Sequence, residues 1–236
     1  MPRLLLSLLL MSTVSFAQEG IIVRQTVETR VGKLRVQCGE ENSEHELLLE
    51  GKSIYKNEGK NLDVVKVFHT RNGEVVLLRE NFGGSGTVDE HFFIQLRKGA
   101  EPVITPLFES QGGEISAKQQ GDALVVDLGF NEGKRETLTY QDGKQTIRRE
   151  APPPHQPADK KDCRYLYEDV YVRFIQNERC GSDLDSAGGM AITRALHHLG
   201  HDPRLDLEAL TPLSHQSCND RKPLSYTEFK KKICGG

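Results

Sequence analysis

The chain has no tryptophan, and its other aromatic residues are few. That weakens a reading as a carbohydrate platform or a single-strand binder, both of which stack ligands on aromatic faces. Charge of one sign is also missing. The net charge of -3 is slight, so no basic excess points to nucleic acid. After residue 16 no apolar run approaches the roughly 20 residues a membrane-crossing helix takes. There is no C-x-x-C pair and no N-x-[ST] sequon. The first absence argues against a structural zinc site, and the second fits a bacterial rather than a glycosylated exported chain.

The N-terminus carries the clearest positive signal. Arg3 is followed by an uncharged apolar run, Leu4 to Phe16, then by the small-x-small triplet Ser15-Phe16-Ala17 and a polar continuation at Gln18-Glu19. Positive charge, short apolar run and cleavage triplet, in that order, are the three parts of a secretory signal peptide. Residues 1–17 are therefore expected to be removed and the rest exported to the periplasm or secreted. No cysteine follows the cleavage triplet to take a lipid anchor.

An oxidising compartment gives the cysteines a meaning. Cys163, Cys180, Cys218 and Cys234 cluster near the C-terminus, which reads as two disulfides with three possible pairings. Cys38 is left over. It reads as a buried thiol, with a bridge to a second chain as the alternative.

Composition divides the chain at Ala151-Pro152-Pro153-Pro154-His155-Gln156-Pro157. So many prolines continue neither helix nor strand and favour a stiff, extended spacer. The expected organisation is a β domain over 18–150, a proline-rich linker over 151–160 and a helical, disulfide-stapled domain over 161–236. In the first block short apolar runs alternate with turns. Asn72-Gly73 separates "DVVKVFH" from "EVVLLRE", and Asp142-Gly143 separates "ETLTY" from "KQTIR". Both dipeptides tolerate positive φ and mark hairpins. "ALVVDLGF" and the pair "IIVRQTVETRV" and "KLRVQC" add further strands. The fold class is thus α+β in two modules, beginning with an antiparallel meander of about nine or ten strands closed as a barrel or a sandwich.

After the linker the period becomes helical. Cys163, Tyr167, Val170, Tyr171 and Phe174 share one face. Ser186 can cap a second helix to Leu199, with Ile192, Ala195, Leu196 and Leu199 as its stripe. Asp202-Pro203 predicts a short third helix to about Leu210. Ser225-Tyr226-Thr227-Glu228 is a capping box for the last helix, with Leu224 placed to staple onto Phe229.

Few motifs carry chemistry. The stretch Asn81-Phe82-Gly83-Gly84-Ser85-Gly86-Thr87 resembles a nucleophile elbow or phosphate loop only in composition. It lacks the last glycine of the elbow and the lysine of the phosphate loop, and a strand rather than a helix follows. It reads as a loop between paired strands, whose residues Phe82, Gly83, Gly84, Ser85 and Gly86 form a candidate binding loop on a rigid scaffold. In "LHHLGHD", His197 and His201 have the spacing of a zinc pair, with His215 as a third donor. Yet His198 stands where a zinc protease needs glutamate, and Gly200 is placed to end the helix before His201. Helix-terminal charge compensation accounts for these histidines, and for Lys230–Lys232, without a ligand.

No cofactor, metal, nucleic acid or membrane span is expected. The favoured expectation is an exported, non-enzymatic protein that binds another protein of the envelope, with the layout of small periplasmic inhibitors and immunity proteins. The alternatives are an envelope hydrolase built on His197, His198, His201 and His215, or a structural envelope component.

Overall fold

A computed structural model describes residues 21–39, 44–83, 89–110, 115–154, 156–176, 180, 184, 192, 196 and 199–235. The expected signal segment and most of the helix expected from Ser186 lie outside them. From that helix's stripe, Ile192 and Leu199 are buried in the helical core.

The first block is three consecutive antiparallel sheets. The first contains β1 (Ile21–Glu28), β2 (Lys33–Gly39), β3 (Glu44–Leu49) and β4 (Lys52–Glu58), in that order. The second contains β5 (Asn61–Thr70), β6 (Gly73–Asn81) and β7 (Glu90–Leu96). The short β8 (Val103–Ile104) and β9 (Phe108–Glu109) lie along the far side of β7. The third contains β10 (Ser116–Gln120), β11 (Ala123–Asn131), β12 (Lys134–Gln141) and β13 (Lys144–Glu150). The two predicted hairpins form as β5–β6 and β12–β13. At the second turn Asp142 and Gly143 both have positive φ, 49° and 82°. Gly73 also has positive φ, 126°, and a Cβ there would in addition collide with the Leu96 carbonyl oxygen.

Between a barrel and a sandwich the chain takes the layered arrangement, with three sheets where a simple sandwich has two. Leu34, Val36 and Leu47 of the first sheet share a core with Leu62, Val64, Val76, Leu78, Phe92 and Ile94 of the second. The opposite face of the second sheet presents Phe68, Val75, Leu77 and Phe93 to Leu124, Val126, Leu138 and Tyr140 of the third. Successive side chains of a strand point to opposite faces. Val75-Val76-Leu77-Leu78 therefore serves both cores, and the middle sheet is buried on both sides.

The helical block begins with α1 (Lys160–Tyr165), a π-helical stretch (Leu166–Val172) and α2 (Arg173–Gln176). A π-turn shifts the helical register. Leu166 joins Cys163, Val170, Tyr171 and Phe174 in the core, while Tyr167 is half-buried and its hydroxyl donates to the Leu224 carbonyl at 2.9 Å. The helix expected to open at Asp202-Pro203 does not. Asp202 spends its carboxylate on Arg204, accepting from the backbone N–H at 3.0 Å and from Nε at 2.8 Å. Asp206 caps instead, accepting from the Ala209 N–H, and α3 runs Leu207–Asn219. In α4 (Tyr226–Ile233) the capping box forms as expected, with Ser225 and Glu228 each bonded to the other's backbone N–H.

The disulfides are Cys163–Cys234 and Cys180–Cys218. They close nested loops, with sequence separations of 71 and 38 residues. By chain entropy each contributes roughly 4 kcal/mol.

The two blocks touch across the proline-rich segment. Ala158, expected to be linker, is buried in the helical core. Asp159 pairs with Arg135 of β12 at 3.5 Å and with Arg204 at 3.1 Å. Arg204 lies over the Phe130 ring of β11, 4.7 Å from its centroid.

Candidate functional site

The best-defined exposed feature stands at one end of the first two sheets. β6 and β7 pair antiparallel, with Glu80 opposite Glu90, and the glycine-rich stretch joins them. Of the expected binding loop, Phe82 and Gly83 are described; Gly84, Ser85 and Gly86 lie outside the described residues. Gly83 has φ +77°, a conformation that favours glycine. Phe82 is 66 % exposed, which is unusual for a large aromatic side chain on a strand end.

The root of this loop is held tightly. Asn81 Oδ1 accepts from the Gly83 N–H at 3.0 Å, and Asn81 Nδ2 donates to Asp89 at 2.9 Å. The Lys60 ammonium sits 5.0 Å from the Phe82 ring centroid, within range of a cation–π contact. Lys60 is itself fixed by Glu80, at 2.9 Å, and by Glu90. Glu80 is buried. Its other oxygen accepts from Tyr55 Oη at 2.8 Å and Asn57 Nδ2 at 3.0 Å. Burial opposes its ionisation, but the bonds from Asn57, Lys60 and Tyr55 outweigh that and hold its carboxyl below the usual range. The same network raises the Tyr55 hydroxyl, through burial first and the Glu80 bond second. Both Glu80 oxygens are engaged, so this carboxylate positions its neighbours. What the network achieves is an apolar ring held out to solvent on a base that does not have to be ordered on binding.

A second concavity lies at the junction of the blocks, a cleft of about 270 Å³ bordered by Ser110, Asp127, Phe130, Arg135, Asp159 and Asp202. Four of its charged residues join Arg204 in a chain of ion pairs, Asp127–Arg135–Asp159–Arg204–Asp202. Such a chain acts as a joint between the blocks.

Of the histidines of the alternative reading, His201 and His215 are among the described residues. His215 Nδ1 lies 2.7 Å from the Cys180 carbonyl oxygen and its ring packs edge-on against Phe174. His201 is exposed. His197 and His198 lie outside the described residues. Among the described residues no group of three or more His, Cys, Asp or Glu is arranged to hold a metal ion. Cys38 stands outside both disulfides and is 2 % exposed, so a bridge to a second chain requires the first sheet to open.

Reading the sequence did not find Tyr55, Asn57, Lys60 or Glu80. Tyr55 and Asn57 lie on β4, Lys60 in the turn before β5 and Glu80 near the end of β6, and no local pattern marks them. The only available hint is that charged residues flank a glycine-rich turn. No protein-family model, no curated protein and no solved structure matches this chain. No helix among the described residues is long and apolar enough to cross a membrane.

Proposed function

We propose that this is an exported, periplasmic or secreted binding protein of the inhibitor or immunity type. It works by covering a protein partner of the envelope and turns over no substrate. The observation that carries this reading is Phe82, exposed and supported from below by the Lys60–Glu80–Glu90 network. Aromatic anchors held rigid before contact lose little entropy on binding and tend to dominate interface energy. The disulfides fit the same compartment.

The test is capture from extracytoplasmic extract, using the wild-type chain and Phe82→Ala as bait. A single partner at defined stoichiometry, retained by wild type and lost by about 2 kcal/mol or more in the variant, is the expected result. Turnover of a cell-wall or lipid substrate by the purified protein would overturn it.

A further inference from the structure

The same end of the first sheet carries a row of side chains, two of which, Cys38 and His45, the binding reading does not use. Cys38 of β2 lies directly opposite His45 of β3, and His45 lies directly opposite Asn57 of β4. Directly opposed residues of antiparallel strands project to one face. Cys38 alternates with Leu34 and Val36, and His45 with Leu47, all of them buried. Leu34, Val36 and Leu47 line the shared core, so the row faces the second sheet.

His45 is the unusual member. It is 1 % exposed, yet neither ring nitrogen has a hydrogen-bond partner. Leaving a buried polar group unbonded costs about 1–3 kcal/mol, so such a group needs a reason. Next to it, Asn57 gives its amide N–H to Glu80 while its Oδ1 is buried without a partner. On the other side, Arg24 Nε donates to Cys38 Sγ at 3.2 Å. A sulfur and an imidazole therefore stand side by side on facing strands, both buried, with no well-formed hydrogen bond to either ring nitrogen.

We propose that Cys38 and His45 form a two-donor site for a soft monovalent cation, Cu(I), between the first and second sheets. Thiolate and imidazole are the donors such an ion prefers. The spacing suits it. Directly opposed Cβ atoms are about 4.5–5.5 Å apart. A sulfur and a nitrogen bound on either side of a d10 ion need to be about 4.3 Å apart, taking zinc's bond lengths as a guide. Zinc itself asks for four donors, and no described group offers even three. The charge of Arg24 repels a divalent ion more than a monovalent one, while its N–H stays bonded to the sulfur. On binding, the Cys38 S–H bond breaks, an S–Cu bond forms and the proton leaves to solvent. Copper keeps its oxidation state throughout.

This inference is independent of the Phe82 reading, since it concerns a buried site that a protein partner does not touch. The experiment is an anaerobic titration of the disulfide-intact protein with Cu(I) held by a chromophoric chelator. Ascorbate, which spares the disulfides, keeps the copper reduced. Wild type is expected to take one ion per chain and release one proton, Cys38→Ser to take none, and His45→Gln to bind about tenfold or more weakly. His45→Gln binding as tightly as wild type, or wild type binding no better than Cys38→Ser, overturns the proposal. Should the variants fail to fold, imidazole nitrogen chemical shifts of the wild type are read with Ag(I), the redox-inert probe. A shift confined to the His45 ring supports the site, and an unmoved His45 ring overturns it.

Discussion

The β block and the helical block bury apolar side chains by different means. In the β block the burden is distributed. The middle sheet is covered on both faces, and two separate cores meet across it. No disulfide among the described residues crosses that block. The helical block has one core, and both disulfides tie its elements together. A block of this size buries too small a fraction of its surface to be comfortable on apolar packing alone. The comparison teaches that the stability of one half is spread over many side chains, while that of the other is concentrated in two covalent bonds.

Reduction is the sharpest way to break that comparison. Opening both disulfides removes roughly 8 kcal/mol of constraint, comparable to the whole stability of a typical domain. The helical signal in far-ultraviolet circular dichroism is expected to collapse on reduction. Amides of β6 and β7 should remain protected from hydrogen exchange. Loss of protection in both blocks together would show instead that the Arg204–Asp159–Arg135 joint makes them a single cooperative unit.

The reverse experiment weakens the middle sheet. Phe93 is fully buried, with the Tyr140 ring 4.7 Å and the Phe108 ring 5.4 Å away. Phe93→Ala is expected to cost about 3–5 kcal/mol in urea denaturation followed on the β signal. Ile147→Ala, on the half-exposed edge strand β13, should cost under about 0.5 kcal/mol. A cost for Phe93→Ala no larger than that of Ile147→Ala would refute the distributed double core.

How much of this was legible depends on the range of the interaction involved. Turns and caps act over three or four residues, so Asn72-Gly73, Asp142-Gly143 and the Ser225–Glu228 box could be read directly. Among the described residues one cap was misplaced, at Asp202-Pro203, because Arg204 competed for the carboxylate, a contact just two residues away but made by a side chain whose direction the sequence does not state. The three-layer stack was partly visible. "EVVLLRE" and "HFFIQL" are continuous apolar runs, the mark of strands buried on both faces, whereas "ALVVDLGF" approaches the alternation of an outer sheet. The pairing of the cysteines and the Lys60–Glu80–Glu90 support of Phe82 were not legible. Both depend on residues brought together from distant parts of the chain, and spacing alone does not choose among such contacts.

Acid offers the finest test of the contrast, because on the way down from neutral pH the buried imidazoles of the β block gain protons before its carboxylates do. His91 of β7 is buried against the Phe108 ring, at 5.9 Å between centroids. Burial lowers its pKa to about 4; Arg79 adds to that effect and Asp89 opposes it. In the unfolded chain the same imidazole titrates near 6.5. Between those values the unfolded chain holds more protons than the folded one, so each step down in pH favours unfolding. The contribution of His91 is thus fully present above about pH 6.5, is lost as pH falls toward 4, and amounts to about 3 kcal/mol over that window. Urea midpoints of the β signal between pH 7.5 and 4.5 should therefore fall steadily in wild type. His91→Phe, which keeps a ring against Phe108, should flatten most of that slope, leaving what His45 and, at the acid end, carboxylates such as Glu80 contribute. An equal slope in the variant would mean that the acid sensitivity arises elsewhere, and that the second and third sheets hold their histidine without the penalty its burial implies.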